Sequence, residues 1–150
     1  MSKRTPDLFA FFNEVGIISQ LATTQLERVL PDGLKVSHFA VLNHFVRLGG
    51  ERTPVDLARA FQVTKGAMTN TLGKLDAKGL VRIRTNPQDG RSKLVAITAK
   101  GARARAKAIE AVAPMFEDLA KQIPSGKIEA VLPVLQEIRA TLDEARNTPA

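Results

Sequence analysis

Cysteine is absent from the 150 residues. Its absence excludes a disulfide framework, thiolate metal sites, cysteine nucleophiles and a thiol redox switch, and it agrees with a reducing compartment. No apolar run approaches the ~20 residues that a membrane helix needs. The opening Met1-Ser2-Lys3-Arg4 has the charge of a secretory leader, but the apolar stretch from Leu8 to Phe12 is cut at once by Asn13 and Glu14, too short for an export signal. A soluble, cytoplasmic chain with no membrane partner is the expectation. Catalytic signatures are missing as well: G-x-S-x-G, the P-loop, H-E-x-x-H and G-x-G-x-x-G do not occur. The two histidines, His38 and His44, stand six apart on one expected helix and so share no face. Without cysteine they make no convincing metal site. The expectation is therefore no enzyme, no metal and no cofactor.

What is present is a concentration of positive charge. The chain holds 22 Lys and Arg against 15 Asp and Glu, a net +7. From Arg52 to Arg105 twelve basic residues meet three acidic ones, which gives +9, while the flanks hold ten and twelve and give −2. Charge gathered in this way is the footprint of a polyanion-binding surface, because each neutralised phosphate releases condensed counterions. A high isoelectric point without a polyanion partner is the bland alternative.

Periodicity organises the chain into helices around a short hairpin. Apolar residues recur every three or four positions from Leu8 to Leu30, which predicts an amphipathic helix stopped by Pro31-Asp32-Gly33. Ser37 is a candidate cap for a second helix with Phe39, Leu42, Phe45 and Val46 on its apolar side, ending at Gly49-Gly50. Thr53-Pro54-Val55-Asp56 opens a short helix with Leu57, Ala58 and Phe61 on its buried side. After Val63, Thr64 can cap the next helix, Lys65 to Ala77, with Met68, Leu72 and Leu75 turned inward. Two short helices across a tight polar turn form a helix-turn-helix pattern. Alternation from Leu80 to Thr85 and from Lys93 to Ile97, with Asn86 to Arg91 as the turn, predicts a hairpin. Such a basic hairpin directly after a helix-turn-helix is a wing. Thr98 and Ser125 are candidate caps for two long helices, with Pro114 and Pro133 expected to kink or break them. The fold class expected is mainly α with a small β-hairpin wing.

The stretch Thr53–Leu75, TPVDLARAFQVTKGAMTNTLGKL, continues through Lys78-Gly79-Leu80-Val81 to Asp89-Gly90-Arg91 and then Leu94 to Gly101. Over roughly residues 37–101 it resembles the MarR (multiple antibiotic resistance regulator) family of winged-helix transcription factors. The resemblance implies one MarR-like domain over 1–150, with a DNA-binding lobe at 37–97 and dimerisation helices at 8–30 and 98–146. It further implies an obligate homodimer on a near-palindromic operator of double-stranded DNA, with half-sites about one turn, ~34–36 Å, apart. On this reading the exposed side of the recognition helix enters the major groove. Asn70 would bond adenine, Thr69 a thymine methyl or a phosphate, and Lys65 and Lys74 guanine edges or phosphates. A solvated polar face is the alternative. Arg91 at the wing tip would enter the minor groove, with Asp89 orienting it through a charge-assisted pair, and Arg84 and Lys93 would meet phosphates. A small aromatic or phenolic effector would bind near His38 and Phe39; the alternative is that His38 is a satisfied interface residue. The function expected is a repressor released by that ligand. An architectural DNA-binding protein, or a regulator without a ligand pocket, is the competing reading.

Overall fold

The computed structural model describes residues 2–147. Elements follow in the order α1 (Thr5–Val29), a 3-10 turn (Pro31–Gly33), α2 (Val36–Leu48), α3 (Pro54–Phe61), α4 (Lys65–Ala77), β1 (Val81–Asn86), β2 (Asp89–Ile97), α5 (Ala99–Gln122) and α6 (Lys127–Asn147). The chain divides into two compact units at Val112/Ala113, a point inside α5.

One hydrophobic core organises the first unit. It gathers Val41, Leu42 and Phe45 from α2, Leu57 and Ala58 from α3, Met68, Leu72 and Leu75 from α4, then Leu80, Val81 and Val95 from the hairpin. On α3 and α4 these are the residues that helical spacing turns inward. On α2 the face is rotated from the expected one: His38, Val41, Leu42 and Phe45 are buried, while Phe39 is half-buried and Val46 exposed. The buried set is spaced i, i+3, i+4, i+7 and the expected one i, i+3, i+6, i+7, and both fall on one side of a helix. A polar His38 hid the true one.

Caps explain where the helices begin. Thr53 Oγ1 accepts the Asp56 N–H at 3.1 Å, Thr64 Oγ1 that of Ala67 at 3.1 Å and Thr98 Oγ1 that of Gly101 at 3.0 Å. Each hydroxyl satisfies a donor that the first turn leaves without an intrahelical partner. Ser37 does not cap α2. That helix starts one residue before it, where the Glu27 carboxylate accepts the Val36 N–H at 3.0 Å and His38 Nδ1 accepts the Lys35 N–H at 3.0 Å. Nor does Ser125 cap α6, which opens instead from Gly126 in a left-handed conformation, φ 84°. Both α5 and α6 run on through Pro114 and Pro133. The two prolines are exposed, where water can reach the carbonyl each leaves without a donor.

The hairpin is tighter than expected. Asn86 pairs with Asp89, so the reversal is made by Pro87-Gln88, and Asp89-Gly90 belongs to the returning strand. Thr85 then pairs with Lys93, leaving Gly90, Arg91 and Ser92 as a bulge on β2. Asp-Gly supplies the bulge rather than the turn, a role glycine also fills. Arg52, in the loop before α3, adds a single antiparallel bridge to Val95, with N–H···O distances of 3.0 and 2.8 Å. This bridge ties the wing to the lobe.

Candidate nucleic-acid interface

The turn between α3 and α4 is built by Gln62, Val63 and Thr64. Gln62 takes the left-handed conformation, φ 52°, and the Val63 N–H reaches back to the Ala58 carbonyl at 3.0 Å. This closes α3 and presents Thr64 as the cap of α4. Because Met68, Leu72 and Leu75 are buried, Lys65, Gly66, Thr69, Asn70, Gly73 and Lys74 lie exposed along the other side. A Cβ added at Gly66 or Gly73 would meet no atom within 4 Å. No internal packing therefore demands glycine at either place, although each costs about 1 kcal/mol of helix stability relative to alanine. What they provide is a low outer surface, on which a backbone or base edge could approach closely.

The wing tip is held by its own polar side chains. Asn86 Oδ1 accepts the Gln88 N–H at 3.0 Å, and its amide donates to Ser92 Oγ at 3.0 Å. Asp89 Oδ1 accepts the backbone N–H of Arg91 at 3.1 Å. Asp89 thus shapes the bulge that carries Arg91, where a pair with the Arg91 guanidinium had been expected.

Strand pleating sorts the two basic strand residues onto opposite faces. Ile83 pairs with Val95 on the inner face, and two residues along, Thr85 pairs with Lys93 on that same face. Lys93 Nζ lies 3.3 Å from Thr85 Oγ1. Arg84 and its partner Leu94 are on the other face, where Arg84 makes a two-pronged pair with Glu51, at 3.1 Å from Nε and 2.7 Å from Nη2. This contact lowers the Glu51 carboxyl and raises the Arg84 guanidinium from their ordinary pKa values. Arg84 thereby joins the wing to the α2–α3 loop.

A groove of roughly 360 Å³ lies between the start of α3, the outer side of α4 and the wing. It brings together Lys65 and Thr69 from α4 with Arg91 and Lys93 from β2. Asn70 and Lys74 are exposed on the same helix but do not line this groove, nor does Arg84. His38 is 5% exposed, with Nδ1 engaged as described, and Phe39 is half-buried beside it. Burial first, then Lys74, Lys78 and Lys35, push the imidazole pKa down, with Glu27 opposing. His38 is a buried side chain whose Nδ1 accepts the Lys35 N–H. Among the described residues no His, Asp and Glu group could hold a metal ion, and no helix is long and apolar enough to cross a membrane.

A helix-turn-helix whose outer side is bare, followed by a rigid basic hairpin, defines a winged helix-turn-helix protein. Comparison with known proteins carries this further. The model of the MarR family matches residues 32–92. The multiple antibiotic resistance protein MarR of Salmonella typhimurium is 33% identical over 105 residues, 67% of this chain and 72% of that protein. Among solved structures, the transcriptional regulator BldR from Sulfolobus solfataricus superposes with a TM-score of 0.79 at 26% identity, covering 94% of this chain and 99% of the other. A MarR variant from E. coli complexed with operator DNA gives 0.72 at 25% identity, covering 91% and 99%. The chain belongs to the MarR family of transcriptional regulators. Its family and fold are those of transcription regulators, not of enzymes.

Proposed function

We propose that this regulator is a homodimeric repressor that binds a near-palindromic operator in double-stranded DNA and is released by a small organic ligand. The observation that carries the reading is the exposed side of α4, with Met68, Leu72 and Leu75 turned inward, facing a groove whose far wall is a cationic, internally braced wing. Asn70 and Thr69 read base edges, Lys65 and Lys74 meet guanine edges or phosphates, Arg91 enters the adjacent minor groove and Lys93 meets the phosphate backbone. Asp89 and Arg84 hold the wing in shape for them.

Dimerisation is supported by apolar surface that each unit leaves bare. In α1 no residue is buried, and Phe9, Ile18 and Leu21 are 78%, 61% and 60% exposed. In α6 no residue is buried either, with Ile128, Val134 and Leu142 at least half exposed. Exposed apolar residues at helical spacing mark an interaction surface, and a two-fold pair would set the half-site spacing. The ligand acts by preferring a dimer whose wing spacing misfits the operator, since only differential affinity shifts a population.

The test is selection from a random duplex pool at physiological salt, with the mass measured in solution. A dimer that recovers a two-fold-symmetric site supports the reading. A monomer, or enrichment of no motif, sinks it and leaves an architectural DNA-binding protein.

A further inference from the structure

Pro87 has no N–H, so the first donor of the wing turn belongs to Gln88, and Asn86 Oδ1 accepts it at 3.0 Å in an Asx turn. The carboxamide has a second end. Its Nδ2 reaches over the bulge to the half-buried Ser92 hydroxyl at 3.0 Å, and that hydroxyl lies 3.4 Å from the Asp89 carbonyl. Asp89 in turn accepts the Arg91 N–H at 3.1 Å. Arg91 is therefore fixed from both sides, through its own N–H and through the residue that follows it. A bulge that contains Gly90 has no such stiffness of its own.

The Arg91 side chain is left otherwise. It is exposed, and among the described residues only its backbone N–H is engaged. The guanidinium groups at the base of the wing are, by contrast, taken up inside the protein, that of Arg84 by the Glu51 carboxylate and that of Arg52 by the Glu51 carbonyl. We propose that Asn86 is a positioning residue for DNA recognition, which acts through Ser92 to hold the bulge so that the Arg91 guanidinium is aimed into the minor groove. The proposal rests on the operator-binding repressor read above and deepens it. A tip set during folding leaves less ordering to be done on binding. It also separates aim from charge. A loose Arg91 still neutralises a phosphate on any sequence. Preference for the narrow, electronegative minor groove of A·T-rich DNA needs the guanidinium held in one place.

Different variants separate the two contributions. Arg91→Ala removes the charge together with its aim. Asn86→Ala and Ser92→Ala leave the charge and remove the aim, the first by taking away the carboxamide and the second by taking away the hydroxyl it donates to. Ser92→Thr keeps that hydroxyl and should behave as the wild type.

The experiment uses the full chain and the operator it selects, with the flanks that face the wings made either A·T-rich or G·C-rich. Anisotropy titrations over a range of salt give the flank preference and the salt slope, and amide exchange of the free protein reads the Arg91 N–H directly. In Asn86→Ala and Ser92→Ala the Arg91 amide should exchange faster, and the preference for the A·T-rich flank should fall by about three- to tenfold. The salt slope should stay that of the wild type. Arg91→Ala should lose the preference and lower the slope by about one, and adding Asn86→Ala to it should cost nothing further. Unchanged flank preference in both alanine variants, or a further loss in the double variant, overturns the proposal. So does a loss that is equal on both flanks, which marks a general weakening of the wing, or a Ser92→Thr variant that fails as Ser92→Ala does. A wild type that selects an operator without any flank preference overturns the proposal alone. Failure of the repressor reading shows itself earlier, as a wild type that selects no operator, and the proposal falls with it.

Discussion

Individual side chains divide into those that would read sequence and those that would hold position, and the two kinds fail differently. Asn70→Ala should cost about 1–3 kcal/mol of operator affinity and relax discrimination at one base pair. Anisotropy titrations against the operator and its single-base variants measure both effects. Lys93→Gln should weaken all sequences alike and lower the slope of log affinity against log salt by about one. Arg84→Gln serves as the contrast, because Arg84 sits on the opposite face of the wing and is engaged by Glu51. It should leave the salt slope unchanged and instead speed amide exchange in β1 and β2. A reading of the sequence pooled Arg84 with Lys93 because both are basic strand residues. Alternation already places them on opposite faces once the register is known, but the register depends on a two-residue turn that the sequence alone left broader.

His38 is also a matter for the residue scale. Its pKa is pushed below the ordinary value by burial and neighbouring cations, so the folded state holds fewer protons there than the unfolded chain. Stability from this site is therefore complete above the unfolded value near 6.5 and is lost as the pH falls below it toward the lowered folded value. Protonation at Nδ1 would also remove the acceptor of the Lys35 N–H. Thermal melts between pH 7.5 and 5.5 should show the wild type losing stability on acidification, and His38→Gln losing less. His44, whose pKa is lowered mainly by burial, accounts for the remainder.

Elements meet through glycines, and here the pattern TxxG at 98–101 has a structural cause. Gly101 lies in the first turn of α5 against the end of the loop before β1. A Cβ there would strike the Leu80 carbonyl oxygen and sit 2.8 Å from the Ile97 side chain. Thr98 is bound to the same corner, its N–H on the Leu80 carbonyl at 3.1 Å and its hydroxyl on that of Gly79 at 2.6 Å. Gly101→Ala should cost about 1–3 kcal/mol through forced displacement, read from urea unfolding. Gly73 in α4 predicts the reverse. With open space around it, Gly73→Ala should stabilise the fold by up to about 1 kcal/mol while weakening operator binding by raising the surface that DNA must approach. Stability gained with affinity lost would separate a recognition surface from an ordinary solvated face; unchanged affinity would place Gly73 outside the contact.

At the scale of the whole molecule, the bare apolar faces of α1 and α6 are the main unmet demand. Leu142→Asp, at a position 54% exposed in the chain alone, should leave the helical signal intact and shift the mass measured by sedimentation from dimer toward monomer. Operator affinity should fall with it, since one lobe reads only a half-site.

The sequence by itself determined the number and order of the helices, the ends of α3 and α4, the exposed side of α4 and the presence of a basic wing. These follow from local causes: helical periodicity, side-chain caps within three residues of the groups they satisfy, and alternation along a strand. Only the tertiary structure decided which of two faces α2 buries, that Asp89 shapes a bulge while Pro87-Gln88 makes the turn, and that Glu51 engages Arg84. It alone brought Lys65, Thr69, Arg91 and Lys93 to one groove, and Lys78 and Lys107 to Asp32. The Glu51–Arg84, Asp32–Lys78 and Asp32–Lys107 contacts join groups 33 to 75 residues apart in the chain, and no periodicity reports a contact at such a distance. Packing of the helices onto one core sets it.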